Sequence, residues 1–343
     1  MSNNERKLIS SWLIWSCSYY LYYPFLSIYF SQFVSESKIS LLYLSFQAIS
    51  LPYPIIGAWL YKYNRKLPVI IGMIIGGLGL ILLPFSKNLY EMVIFMALNY
   101  LFYLSLPSFY SFMSEEGQGV ITKIWSISII PSLIMPSIAG LIAQYLGLRL
   151  LFIISGIIFS LASIPVLKIG SNKVLIGESS IKMSISLLFI LLLILPIAIS
   201  TPYIYLAVYL RFNLSKIELG VIVTIAEILG MIFSYISSRY IKDGKYLLSS
   251  SLILFSLISL YDFSPFFAIF FGMWEVIVPL SLELYTPRRN VVSDYAITII
   301  IQSIGWLMGY AIDYLFGNVR ILLVTSSIVA FLSAFIVLIS LRK

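Results

Sequence analysis

Gly57-Ala58-Trp59-Leu60-Tyr61-Lys62-Tyr63-Asn64-Arg65-Lys66 is a short basic turn between two apolar runs, about 39–61 and 68–85. Crossing the hydrocarbon core of a bilayer takes roughly 20 mainly apolar residues in a helix, and each run is about that long. The turn therefore reads as the connection between two antiparallel membrane helices. The composition of the whole chain agrees. Of 343 residues, 60% are hydrophobic and only 10% charged, with a mean hydropathy of +1.00. A soluble domain carries about 45–50% apolar and ~25% charged residues, and no soluble fold of this size hides so much apolar surface. The chain is an integral membrane protein, with the lipid bilayer as its first partner. Nucleic-acid binding, cytosolic metabolism and secreted disulfide scaffolds are excluded. Cys17 is the lone cysteine and no histidine is present, so internal disulfides and His-based metal sites and triads are absent.

Working outward from the turn, twelve apolar runs emerge: about 8–33, 39–61, 68–85, 89–113, 120–146 and 148–167, then 184–211, 217–240, 246–261, 265–285, 291–316 and 319–341. The ninth is the shortest. The first is too long for a signal peptide and lacks a small-residue cleavage site. With the N-terminus inside, 16 of the 22 Lys and Arg fall on the cytoplasmic side and 6 outside. Cytoplasmic loops of membrane proteins carry this excess, so the pattern supports both the count and an orientation with both termini cytoplasmic in the cell membrane. Topology thereby accounts for the basic loops without invoking a ligand.

The longest polar stretch lies at the midpoint. It divides the chain into a six-helix bundle over 1–169, a cytoplasmic linker over 170–182 and a second six-helix bundle over 183–343. The halves repeat. Gly140-Leu141-Ile142-Ala143-Gln144-Tyr145-Leu146-Gly147-Leu148-Arg149 and Gly309-Tyr310-Ala311-Ile312-Asp313-Tyr314-Leu315-Phe316-Gly317-Asn318-Val319-Arg320 share glycine, polar residue, Tyr-Leu, glycine and arginine in order. Pro107 and Pro279 also occupy similar places in the fourth and tenth spans. Parallel internal repeats mark one large class of secondary transporters. The predicted architecture is an all-α integral membrane fold with twelve transmembrane helices in two pseudo-symmetric six-helix bundles.

The basic turn Gly57–Lys66 resembles the signature Gly-x-Leu-Ala-Asp-Arg-x-Gly-Arg-Lys of the major facilitator superfamily, at the same place in the topology. Tyr61 replaces the signature Asp that latches the two halves, and Asn64 replaces a Gly. Asn tolerates the left-handed turn. The resemblance implies a cytoplasmic gate at Gly57, Lys62, Arg65 and Lys66, whose basic side chains have Glu115 and Glu116 as partners. Glu283, Arg288, Arg289 and Asp294 flank the loop between the tenth and eleventh spans, and Asp294 is assigned to the same gate; a solvated loop is the competing reading. Met135-Pro136-Ser137-Ile138-Ala139-Gly140 resembles the Gly-Pro-x-x-Gly-Gly element of superfamily exporters in two of its four marked residues. Met273-Trp274-Glu275-Val276 and Ala226-Glu227-Ile228-Leu229 resemble the tenth and eighth helices of the oligosaccharide/nucleoside–proton symporter branch, which includes lactose permease. There a Glu of the tenth helix binds the proton and a Glu of the eighth couples it to substrate. The chain departs from that branch at Gly272, where the sugar symporters have His, and in lacking Arg in the ninth span.

The residues support part of this without the resemblance. Glu227 and Glu275 lie near mid-span, where a charged side chain costs about 2.5–3.5 kcal/mol on insertion scales. Each sits on a small or polar stripe that faces other helices or a cavity: Gly220, Thr224, Glu227, Gly230, Ser234 and Ser238 in the eighth span, and Ala268, Gly272, Glu275, Pro279 and Glu283 in the tenth. No Lys or Arg lies at that depth, and burying a carboxyl without a cation favours its protonated form. The two are expected to bind and release a proton between conformations; the alternative is a permanently protonated Glu in one interhelical hydrogen bond. Candidate cavity residues are Tyr19, Tyr20, Tyr23, Gln47, Asn99, Tyr103, Tyr203, Trp274 and Gln302, with ordinary helix packing as the competing role.

The expected function is secondary active transport of a small organic solute by alternating access, coupled to protons through Glu275 and Glu227. A neutral hydroxylated solute, sugar- or nucleoside-like, is preferred, because an anion would need a mid-membrane cation. A proton-antiport exporter of lipophilic or cationic compounds uses the same parts. An intramembrane lipid-modifying enzyme would need a catalytic cluster near an interface, and a channel would need rings of like residues. A ten-helix drug/metabolite carrier does not match the alternation of basic loops. No nucleotide-binding glycine motif is present. The chain is expected to work as a monomer, without cofactor or metal and without nucleic acid.

Overall fold

A computed structural model describes residues 2–117, 120–127, 129–170, 185–239, 244–285 and 291–339, and these are helical with no strand. Twelve membrane helices follow in chain order. The first bundle contains α1 (3–30), α2 (Glu36–Tyr63), α3 (Leu67–Phe85), α4 (Leu89–Glu115), α5 (Lys123–Tyr145) and α6 (Leu148–Leu167). The second contains α7 (Leu188–Arg211), α8 (Lys216–Arg239), α9 (Gly244–Asp262), α10 (265–285), α11 (Val292–Phe316) and α12 (Val319–Ile339). Eleven of these are long and apolar enough to cross a bilayer on hydropathy alone. The exception is α1, whose serines, tyrosines and tryptophans dilute its apolar signal while Leu8, Trp12, Phe25 and Phe30 are buried. The predicted linker 170–182 lies, apart from Gly170, outside the described residues, as do Arg288 and Arg289.

Several helices are broken near proline, which lacks an N–H donor and collides with the preceding turn. In α1 a 3-10 turn spans Tyr23–Phe25 around Pro24. The break in α2 falls at Leu51-Pro52, and that in α7 at Thr201-Pro202. The helix α10 begins as a 3-10 helix over Pro265–Met273 and becomes α-helical at Trp274. That change of winding sits one residue before Glu275.

The end of the bundle that carries the N-terminus, the terminal end, is tied together by polar contacts. Lys7 Nζ donates to the Lys168 carbonyl, and Lys66 Nζ donates to the Leu167 carbonyl at 3.0 Å. Both cap the electronegative end of α6. Glu5, which precedes the apolar run of α1, pairs with Lys123 at 2.7 Å, and that bond holds the Glu5 carboxyl below the usual carboxylate range. At the opposite end α5 and α8 cross almost backbone to backbone. A Cβ on Gly140 would lie 2.6 Å from the Lys216 carbonyl oxygen, and one on Gly220 2.5 Å from that of Pro136. Ser137 and Thr224 share a 2.8 Å hydrogen bond across the same crossing. The segment 135–140 thus joins the two bundles. The helices α2 and α11 form the second seam between them.

Candidate functional site

Glu227 and Glu275 meet where α8 and α10 cross. Small residues permit the approach: a Cβ on Gly272 would lie 1.8 Å from the Ala226 carbonyl oxygen, and one on Gly230 2.0 Å from that of Gly272 and 3.1 Å from Cβ of Glu275. The Glu227 and Gly230 part of the α8 stripe therefore faces Gly272 and Glu275 of α10, while its Gly220 and Thr224 part faces α5. Both carboxyls are buried at this crossing, at 0% and 1% exposure. The Tyr20 hydroxyl donates to Glu275 Oε1 at 2.6 Å, and Trp274 Nε1 to Glu227 Oε1 at 3.4 Å. Glu227 Oε2 has no donor.

Beside this pair lies a central cavity of about 140 Å³. Its lining is mostly aromatic and contains no charged residue among the described residues. The rings of α1 and α4 are stacked: Trp15 on Phe102 at 4.6 Å and Tyr19 on Tyr23 at 4.9 Å. Trp274 links the two features, because its ring borders the cavity 5.8 Å from Tyr19 while its indole N–H holds Glu227. Aromatic pairs between the bundles close both ends. Tyr110 faces Tyr295 at 5.7 Å and Trp125 faces Trp274 at 6.2 Å towards the terminal end. Tyr43 faces Tyr310 at 5.2 Å and Tyr23 faces Tyr205 at 6.1 Å towards the opposite end. The cavity is smaller than the ~300–1,000 Å³ usual for drug-sized sites.

Tyr19, Tyr23, Asn99, Tyr103, Trp274 and Gln302 border this cavity. Asn99 also ties helices together, accepting from Tyr22 at 3.4 Å and donating to the Gly76 carbonyl at 3.1 Å. Tyr20, Gln47 and Tyr203 do not border it. Tyr20 lies on the other face of α1 and turns to Glu275. Gln47 is fully buried with neither amide atom paired. Tyr203 reaches away to the Glu36 carbonyl at 3.2 Å, at the start of α2. Further lining comes from Trp306 and Tyr310. These share a helical face with Gln302 at steps of four, the signal that would have revealed them. The cavity also offers unpaired donors at Trp12 Nε1, Trp15 Nε1 and Gln302 Nε2. Among the described residues no group of carboxyls and thiols is placed to hold a metal ion.

The turn after α2 is built around Arg65. Its guanidinium pairs with Glu115 of α4, donates from Nε to the Tyr61 hydroxyl at 2.8 Å, and covers the Phe112 ring at 4.8 Å. Tyr61 thus meets Arg65 through its hydroxyl and its ring. Gly57 lets α2 touch the α4 backbone, since a Cβ there would lie 2.1 Å from the Leu104 carbonyl oxygen. Glu116 accepts from Ser2, not from a basic residue. Lys66 caps α6, and Lys62 is exposed. Asp294 is buried in the first turn of α11. Arg65→Ala should lower stability by about 1–3 kcal/mol, because it strands a half-buried carboxylate, whereas Lys62→Ala should leave thermal unfolding in detergent unchanged.

Two sets of six helices surround a small, mostly aromatic cavity with a pair of buried carboxyls beside it, the build of a membrane transporter. The chain belongs to the major facilitator superfamily, whose family profile matches residues 8–310. Its structure resembles that of the human organic anion transporter MFSD10 (TETRAN), with a TM-score of 0.70, 11% identity, and 98% of this chain and 99% of that one covered. It also resembles a mutant of the nucleoside transporter NupG, with a TM-score of 0.67, 13% identity and the same coverage of 98% and 99%. No curated protein matches its sequence.

Proposed function

We propose that this protein is a proton-coupled carrier of a small uncharged hydroxylated solute, sugar- or nucleoside-like. It works as a monomer by alternating access in the cell membrane, with both termini in the cytoplasm. The observation that carries this reading is the pair of buried carboxyls, with no cation beside them among the described residues and Trp274 bridging them to the cavity. A buried carboxylate without a counter-charge is strongly disfavoured, so the closed state holds a proton on the pair. A solute that moves the Trp274 ring breaks the indole bond to Glu227, and opening admits water that takes the proton away. Solute binding and proton binding are thereby linked through one side chain.

The lining favours the uncharged solute. Ring faces and unpaired donors suit a flat or ring-shaped molecule rich in acceptors. An organic anion would find no positive group there. A lipophilic cation would find ring faces but no carboxylate on the wall. The halves 1–169 and 183–343 rock about this site on the linker 170–182, and the aromatic pairs at either end part in turn. Gly57, Lys62, Arg65, Lys66 and Asp294 form the gate at the terminal end. In proteoliposomes, an imposed pH gradient should drive accumulation of a nucleoside or sugar, and a protonophore should abolish it. Accumulation only of cations, or only of anions, would refute the solute class.

A further inference from the structure

Asp313 has no part in the carboxyl pair or the cavity, yet it is fully buried and neither of its oxygens has a hydrogen-bond partner. It continues the stripe of Gln302, Trp306 and Tyr310 along α11, and so faces the seam with the first bundle. It also lies in the last turn of that helix, before the left-handed cap at Gly317, where the helix dipole opposes negative charge. Around it the seam is closed. Tyr43 of α2 meets Tyr310 at 5.2 Å, Tyr203 donates to the Glu36 carbonyl, and a Cβ on Gly317 would lie 3.8 Å from that of Ser37.

The repeat shows that the crossing itself does not demand a carboxyl. The corresponding residue of α5 is Gln144, an exposed neutral amide that accepts from the Lys216 backbone N–H at 3.4 Å. The titratable groups that face Asp313 are the phenols of Tyr310 on its own helix and Tyr203 after α7. On α2, Tyr43 packs against the Tyr310 ring, and the exposed first turn carries Glu36, whose carbonyl accepts from Tyr203, and Lys38. Arg320, at the start of α12, is engaged with Asp262 at 3.0 Å. None of these supplies a donor or a counter-charge to the Asp313 carboxyl.

We propose that Asp313 is a second proton-binding site, which must be filled for the end of the bundle opposite the termini to close. A bare carboxylate there would be sealed without water, donor or cation, at a cost that closing does not repay. When the seam opens, water reaches the carboxyl and the proton leaves. The closed state therefore binds one more proton than the open one at this position, and by linkage acid closes this end while alkali opens it.

The test places spin labels at Ser37→Cys and Asn318→Cys, both exposed and on opposite bundles. The background is Cys17→Ser with Glu227→Gln and Glu275→Gln, which silences the carboxyl pair, so failure of the pair and failure of Asp313 are read separately. In nanodiscs the distance between the labels should lengthen from mildly acidic to alkaline pH. Asp313→Asn, the neutral isostere, and Asp313→Leu should hold the short distance at every pH, while Glu36→Gln should respond like the background. A distance independent of pH in that background, a response that survives in both Asp313 variants, or one that disappears in Glu36→Gln would overturn the proposal.

Discussion

Glu275→Gln is expected to abolish proton-driven accumulation of solute, by about 100-fold or more, while leaving solute exchange across the membrane intact. The glutamine keeps the shape of the protonated carboxyl and can still meet Tyr20, whose hydroxyl lies 2.6 Å from Glu275 Oε1. It cannot release a proton, so the step that ties movement of the bundles to the gradient is lost. Binding and rocking need only the neutral form, which the amide mimics. The check is to measure counterflow exchange and gradient-driven uptake in the same proteoliposomes. Loss of both together would make Glu275 a structural contact, and loss of neither would make it a spectator.

The second large effect is expected at a residue with no polar atom in its side chain. Gly272→Ala places a methyl group 1.8 Å from the Ala226 carbonyl oxygen. Backbone has no rotamer to yield, so α8 and α10 must part. Overpacking of this kind costs roughly 1–3 kcal/mol. The same displacement separates Glu227 from Glu275, so transport should fall with stability. Gly244→Ala is the control, because its added Cβ would meet only the flexible ends of Leu284 and Leu280, 3.2 and 3.4 Å away. Thermal unfolding should show a lower midpoint for Gly272→Ala alone. Equal midpoints for the two would mean that the close crossing of α8 and α10 has been misread.

Much of this arrangement is legible from residue order. The apolar runs and the alternation of basic loops give twelve helices, and hydropathy misses α1 only because aromatic and hydroxyl side chains in its buried face score as polar. The two glutamates stand out because charge is costly in the membrane interior and because each sits on a stripe of small residues. That they face each other follows from two glycine-mediated contacts, Gly230 and Gly272, whose pairing is a tertiary fact that neither stripe contains alone. The cavity is less legible. Tyr20 and Tyr19 are adjacent in sequence, yet one faces Glu275 and the other the cavity, a difference set by the rotation of α1. Tyr203 is led away from the centre by the turn at Pro202. The basic turn after α2 reads in sequence as a link between halves that has lost its carboxylate. In the structure Arg65 finds its carboxylate within the same bundle, at Glu115.

The most direct test of proton coupling is a titration of purified protein in weakly buffered detergent solution. Nucleosides, sugars and lipophilic cations would be added in turn while proton uptake or release is followed. Wild type would be measured beside Glu275→Gln and Glu227→Gln. Proton coupling through the carboxyl pair predicts a proton signal that saturates with an uncharged hydroxylated solute and disappears in both variants. Solute binding without any proton signal, identical in all three proteins, would contradict it and leave the buried carboxyl pair as a helix contact.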